Sequence, residues 1–366
     1  MNAVPFPDII QVGAVPPPYG GVSVHLERLM ARLRAEGLSS QLVDTSGIAK
    51  QRTDVFCLSW RKAFFHLLRR EAAIVHFHNF APRNLYLYSI LATRHKTILS
   101  FHNERFAAEL KSYGAVEQGL FKRLLDNFEY VIVDSEENRN RALGLGIDAA
   151  KLLTIPEFLP PVIEETANDS LPQEISELRA RHRFLLATNA YKLAFHRGED
   201  LYGIDLIIEM THQVATHTEF DSATVILLPN HGNDEYLAQL QARINALGIG
   251  ERCRLVTVPL AETSILWRAA DIVIRATNTD GNSMSVLEAI SVGTPVIASD
   301  CVARLEAVEL FENRNVDSLA AVTRKMLGNL EHYRSVIRKV SLEDNGAKFV
   351  ELYRRIIGTI GPQESD

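Results

Sequence analysis

Short apolar runs recur along the chain, each followed by a stretch of helical periodicity. In the first half such runs lie at residues 8–15, 40–44, 73–78, 97–102, 130–134 and 152–155. They are apolar without clean alternation, which predicts strands covered on both faces. Between them, Leu26, Leu29, Met30 and Leu33 fall at helical spacing, with Gly37 as the stop. The second half repeats the scheme, with runs at 184–188, 224–228, 254–258, 271–275 and 295–299. Repeated strand-then-helix units predict parallel sheets with right-handed crossovers. The texture changes over 157–181, where Pro160, Pro161 and Pro172 bracket a polar run. That reads as a linker leading into a surface helix. Phe349, Leu352, Tyr353, Ile356 and Ile357 mark a last amphipathic helix.

The expected plan is an α/β chain of two Rossmann-like parallel-sheet domains facing a central cleft. The first domain takes 1–160, a linker 161–181, the second domain 182–345. Residues 346–366 form a helix and tail packing back on the first domain. Ligands favour strand carboxyl ends and domain boundaries.

Length and composition add limits. The chain has 366 residues, 46% hydrophobic and 23% charged, which suits two soluble domains with separate cores. No run of about 18 apolar residues is present, so no membrane span is expected. The start lacks the basic and apolar regions of an export signal. Cys57, Cys253 and Cys301 are scattered, which fits a reducing, cytoplasmic setting and offers no metal spacing. The net charge of -6 argues against nucleic acid as a partner. Residues 1–160 carry 19 Lys and Arg against 16 Asp and Glu, the remainder 20 against 29. The more basic first half suits an anionic surface or acceptor. Trp60 to Arg70 mixes large apolar and basic residues at helical spacing, which fits either a core-facing helix or contact with an anionic leaflet.

The richest segment is 271–300, DIVIRATNTDGNSMSVLEAISVGTPVIASD. It reads as strand, polar loop, helix, glycine stop, strand. Ser283 is expected to cap the helix through its hydroxyl. The first-turn amides near Met284 and Ser285, with the helix dipole, then suit a phosphate. Gly281 lets backbone approach a ligand, and Glu288 in the second turn points at polar groups of the same ligand.

Asp280 and Glu288, eight positions apart, with Leu-Glu-Ala and Gly-Thr-Pro-Val-Ile-Ala-Ser-Asp, resemble the donor-site motif of retaining family-4 glycosyltransferases of the GT-B fold. The resemblance implies that Glu288 binds the ribose hydroxyls of a nucleotide and Asp280 contacts the donor sugar. Gly281, Asn282, Ser283 and Met284 would offer amides to sugar and phosphates. This chain has Asp280 where the family usually has Glu.

Gly20-Gly21, after the first strand and opening a helix, looks like the family's N-terminal glycine loop beside donor phosphates and acceptor. A dinucleotide fingerprint is absent there, which disfavours a dehydrogenase. His76 and His78 share one strand face, and no third ligand beside them suggests a metal. The resemblance singles out His102 as a group near the transferring sugar. Tyr202 stands where relatives have a Lys before Gly203, and Lys192 and Arg197 are candidates for the missing phosphate charge.

The resemblance thus implies sugar transfer from a nucleoside diphosphate sugar to a hydroxyl acceptor, glycan or lipid-linked, with retention of configuration. Polysaccharide or glycolipid assembly is the expected setting, in the cytoplasm or at the inner membrane face. No Asp-X-Asp motif lies in a suitable loop, so no metal or other cofactor is expected. Two alternatives stay open: a nucleotide-sugar epimerase, and a catalytically silent binding module of the same fold.

Overall fold

The computed structural model describes residues 9–17, 20–50, 52–78, 81–102, 105–161, 171–217, 219–230, 232–260, 262–281 and 283–360. The chain divides into two units. The first comprises Met1–Val162 with Asp344–Asp366, the second Ile163–Glu343.

The first unit holds seven parallel strands: β1 (Ile9–Gly13), β2 (Ser40–Asp44), β3 (Val55–Cys57), β4 (Ile74–Phe77), β5 (Lys96–Phe101), β6 (Tyr130–Val133) and β7 (Leu152–Thr154). Their order is β3-β2-β1-β4-β5-β6-β7. Successive strand residues point to opposite faces, and each face has its own core. Val12, Val75, Phe77, Leu99, Phe101 and Val133 bury against helices on one side. On the other, Ile9, Ile74, Ile98 and Ile132 pack with Leu29 and Leu33 of helix Gly21–Ala35 and with Phe349, Leu352, Tyr353 and Ile356 of helix Asn345–Ile360. The last helix is therefore one wall of this unit.

The second unit holds a six-stranded parallel sheet and a small antiparallel hairpin. In chain order the strands are β8 (Phe184–Asn189), β9 (Phe195–His196), β10 (Glu199–Asp200), β11 (Ser222–Leu227), β12 (Cys253–Val256), β13 (Ile272–Arg275), β14 (Val296–Ser299) and β15 (Glu309–Phe311). The sheet runs β12-β11-β8-β13-β14-β15, and β9 pairs with β10. Leu186, Ile226, Ile272, Ile274 and Ile297 face one core and Leu185, Ala187, Val225, Val273 and Val296 the other.

Strand order reverses between β1 and β4 in the first sheet and between β8 and β13 in the second. At such a switch point the adjoining crossovers leave on opposite faces and open a crevice at the strand carboxyl ends. Among the described residues no helix is long and apolar enough to cross a membrane.

Candidate functional site

In the second unit the switch point carries the segment that the sequence singles out. β13 ends at Arg275, a loop follows, and helix Met284–Ser291 runs back to β14. Val292 caps that helix, and Gly293 with φ 81 turns the chain away.

Glu288 is buried at 6% exposure, and its Oε2 accepts from the indole Nε1 of Trp267 at 3.0 Å. That bond fixes the carboxyl orientation. Asp280 lies in the loop. Arg275 donates from Nε and Nη2 to its two oxygens at 3.0 and 2.9 Å, and Arg304 Nη2 donates to Oδ2 at 2.8 Å. The three side chains are almost covered, with Asp280 8%, Arg304 5% and Arg275 15% exposed. Burial pushes the Asp280 pKa up, but the two guanidiniums outweigh it and hold the group below the ordinary carboxylate value. The ring of Tyr202 lies under Arg275, 5.3 Å from Cζ to the ring centre. The residue standing in the Lys place is thus an aromatic that packs on a cation.

The expected hydroxyl cap by Ser283 does not form. Ser283 is the N-cap, but its Oγ meets Ser285 Oγ at 3.1 Å and makes no cap bond to a helix amide. A second hydroxyl two residues on competes for it. The first-turn amides of Met284 and its neighbours are therefore not taken by that side chain. Gly281 is exposed, and a Cβ there would meet nothing within 4 Å. Asn282 lies outside the described residues.

Lys192 follows β8 and is exposed. Arg197 is exposed in the turn of the β9–β10 hairpin with φ 54, beside Gly198 at φ 84. The hairpin is tied to the loop after β13: Asn278 donates from Nδ2 to the His196 carbonyl at 3.3 Å and from its amide to Leu201 at 3.0 Å. Gly203, at φ 65, sits where any Cβ would collide with the Ala276 carbonyl oxygen and lie 2.9 Å from its Cβ. Only glycine lets this helix start approach β13 so closely.

In the first unit the loop after β1 leads to Gly20 and Gly21. Asp44 Oδ2 accepts from the Val15 amide at 3.3 Å, and Lys50, 3.7 Å from the same carboxylate, donates to the Pro17 carbonyl. Gly20 is the extended N-cap of helix Gly21–Ala35, with its amide donating to Ser23 Oγ at 2.9 Å. A Cβ on Gly21 would meet nothing within 4 Å, so the helix start is open.

Beside that loop lies a histidine cluster. His102 Nδ1 is 2.8 Å from Glu157 Oε1, and its Nε2 is 2.9 Å from His78 Nδ1. His78 Nε2 reaches Gln11 Oε1 at 2.8 Å, and Gln11 Nε2 donates to Tyr353 OH at 2.9 Å. Tyr353 OH is 2.6 Å from His76 Nδ1, and His76 Nε2 is 2.8 Å from Ser100 Oγ. His25 donates from Nδ1 to the Glu157 carbonyl at 2.8 Å. Burial, helped by the neighbouring imidazoles, pulls the pKa of His76 and of His78 well below the ordinary value and that of His25 to about 3. His25 Nε2 is buried with no hydrogen-bond partner. The ring lines a cavity of about 10 Å³ with His102, Glu157 and Asp134, space for about one water. Among the described residues no three His, Cys, Asp or Glu side chains are placed to hold a metal ion.

Sequence reasoning missed Trp267, Arg275, Arg304, Glu157 and Gln11. The signal for Trp267 was its type, since a buried indole N–H needs an acceptor. The two arginines carried only their charge.

Among known proteins, residues 169–329 match the family model described as Glycosyl transferases group 1. No curated protein matches the chain in sequence. Solved structures resemble it over nearly its whole length. A glycosyltransferase from Rickettsia africae has TM-score 0.64 at 15% identity, covering 98% of this chain and 99% of that one. Anabaena Alr3699/HepE, described in complex with UDP-glucose, has TM-score 0.61 at 14% identity, covering 96% and 98%. An alpha,alpha-trehalose-phosphate synthase (UDP-forming) from Burkholderia xenovorans has TM-score 0.65 at 11% identity, covering 96% and 100%. Residues 169–329 therefore form a glycosyl transferases group 1 domain, in a chain whose two parallel sheets have the GT-B fold.

Proposed function

We propose that the chain is a glycosyltransferase that moves a hexosyl group from a nucleoside diphosphate sugar to a hydroxyl of a glycan or lipid-linked acceptor, retaining the anomeric configuration. The observation that carries this reading is the β13–helix–β14 unit. It sits at the switch point, inside the region matched to the family, with an oriented carboxylate at Glu288 and an uncapped helix start at Ser283 and Met284. A carboxylate accepts from two ribose hydroxyls at once. Amides at a helix N-terminus accept phosphate oxygens. Gly281 gives backbone access, and Asn282 belongs to the same stretch. Lys192 and Arg197 supply positive charge to the diphosphate. Asp280 meets the sugar, with Arg275 and Arg304 holding it ionised.

In the reaction, the bond from the anomeric carbon to the diphosphate oxygen breaks and the bond to the acceptor oxygen forms on the same face. The acceptor proton passes to a donor phosphate oxygen. The diphosphate leaves with more negative charge, which preplaced amides and cations stabilise. Those groups take the role a divalent cation plays elsewhere, so no metal enters this reading. His102, with Gly20 and Gly21, serves the acceptor-side chemistry of the first unit.

The setting that fits best is glycan or glycolipid assembly at the inner face of a membrane. On helix Trp60–Leu68, Phe65 is 54% exposed, with Arg61, Lys62 and Arg69 exposed around it. An apolar residue ringed by cations matches an anionic lipid surface.

The test is a thermal-shift panel of nucleoside diphosphates, UDP first because the Anabaena relative binds it, followed by product analysis with UDP-sugars. One nucleotide should raise the unfolding midpoint by mass action, and the donor sugar should appear on an acceptor or on water. A changed sugar nucleotide with no transfer would make the chain an epimerase. Binding with neither outcome would make it a silent module.

A further inference from the structure

Asp280, the carboxylate at the sugar end of the proposed donor site, has little left to offer a sugar. A carboxylate has about four lone-pair sites. Arg275 Nε and Arg304 Nη2 take both on Oδ2, and Arg275 Nη2 takes one on Oδ1. A single site remains for a hydroxyl. The arginines are in the opposite state. Two guanidiniums carry about ten N–H donors, and three of them reach Asp280. Among the described residues neither arginine pairs with any other carboxylate. Arg304 is almost wholly covered, yet its Nε is buried with no hydrogen-bond partner. In the same loop as Asp280, the buried hydroxyl of Thr277 also has no partner.

Two cations against one anion leave the cluster with one net positive charge, held mostly out of water. A buried charge without a counter-ion and a buried donor without an acceptor both cost stability. A ligand that ends in an anionic acceptor supplies what both lack. The cluster is also set in place before any ligand arrives. Arg275 grips Asp280 through two nitrogens and rests on the ring of Tyr202, whose amide donates to Asp200 Oδ1 at 2.9 Å. Arg275 ends β13 and Arg304 follows β14, its neighbour in the sheet. The cluster thus lies within the second unit at the carboxyl ends of adjacent strands, where ligands of such sheets bind.

We propose that Arg275, Asp280 and Arg304 form a subsite for a carboxylate on the transferred sugar, so that the donor is a nucleoside diphosphate hexuronate. The proposal rests on the transferase reading and narrows its hexosyl group to an acidic one. A sugar carboxylate is planar, matches the edge of a guanidinium and brings the charge the cluster lacks. A neutral hexose brings hydroxyls in its place, which leave that charge unbalanced. The other anion of the donor, its diphosphate, has the helix start at Ser283 and Met284 with Lys192 and Arg197. Asp280 is a positioning residue for both guanidiniums and keeps one lone pair for a sugar hydroxyl.

The experiment is calorimetric titration of the full-length protein with UDP, with UDP-glucuronate against UDP-glucose, and with GDP-mannuronate against GDP-mannose. In one pair the acidic donor should bind at least about tenfold tighter than its neutral partner, the worth of a charge-assisted hydrogen bond. In Arg304→Gln the two should come within about twofold of each other. Arg304→Lys keeps a charge beside Asp280 without the planar fork, and should retain an intermediate preference. A melting curve shows whether each variant is folded; if Arg304→Gln is not, the wild-type preference and Arg304→Lys decide. Equal binding of acidic and neutral donors by the wild type overturns the proposal, as does a preference that survives Arg304→Gln intact. A loss of UDP affinity as large as that of the acidic donor makes the arginines diphosphate ligands and overturns it too. Nucleotide binding without discrimination between the sugars removes the acidic subsite and leaves the transferase reading standing. A protein that binds no sugar nucleotide of either pair removes both.

Discussion

Glu288 shows how one side chain serves both packing and binding. Its bond to Trp267 satisfies a buried indole and aims the carboxyl group. Removing it altogether would leave that N–H unpaired, at a cost of about 1–3 kcal/mol to stability. Glu288→Gln is the cleaner change, since an amide oxygen still accepts from Trp267. It should weaken nucleoside diphosphate binding by roughly ten- to hundredfold, the worth of a charge-assisted hydrogen bond, with an unchanged unfolding midpoint. Calorimetric titration beside a melting curve checks both. The sequence located Glu288 by its spacing from Asp280, but nothing in the spacing shows that a Trp 21 residues earlier orients it. Arg275 and Arg304 are in the same position: five and 24 residues from Asp280, they are paired with it by nothing in the sequence, only by the fold. Gln11 and Tyr353, 342 residues apart, lie beyond the reach of any local pattern.

Among the elements, the longer buried strands were legible because an apolar run of five or six residues between turn signals has few other readings. Residues 40–44 coincide with β2, and 184–188 with all but the last residue of β8. β3 and β15, three residues each, were not identified, whereas β7, equally short, was read within the run 152–155. The β9–β10 hairpin was hidden too: its turn is Arg197-Gly198, and a cation before a glycine looks like solvated coil. Two glycines bordering the candidate site test how far these elements are fixed. Gly203→Ala should destabilise the second unit by about 1–3 kcal/mol, because it combines left-handed backbone with a clash against backbone that cannot retreat. Gly281→Ala faces open space at an ordinary φ and should leave stability within about 0.5 kcal/mol, while weakening nucleotide binding. Urea unfolding of both variants, with nucleotide affinity measured alongside, separates a structural glycine from an access glycine.

For the whole molecule, the two units should respond to acid at different points. In the first, His25, His76 and His78 have folded pKa values lowered by burial, so the unfolded chain takes up protons first as pH falls. Their contribution to stability is complete above the ordinary histidine value of about 6.5. It is lost as pH drops from there toward about 3 for His25. In the second, Asp280 is held low by Arg275 and Arg304. Its contribution persists down to the ordinary carboxylate value near ~4 and is lost only as pH falls toward its lower folded value. Hydrogen exchange between pH 7 and 5 should therefore show β4 and β5 losing protection while β8 and β13 keep it; equal loss in both sheets would contradict the assignment. The covering of the first sheet by Phe349, Leu352, Tyr353 and Ile356 has a last consequence, for biosynthesis. A ribosome releases Ile9, Ile74, Ile98 and Ile132 long before it makes the helix that shields them. The later-encoded unit can finish maturing first, and the earlier-encoded one waits, with a bare apolar flank, for the segment that carries Phe349 to Ile356. During that interval the nascent protein is a natural client for chaperones, and premature termination anywhere upstream of Phe349 yields an aggregation-prone product.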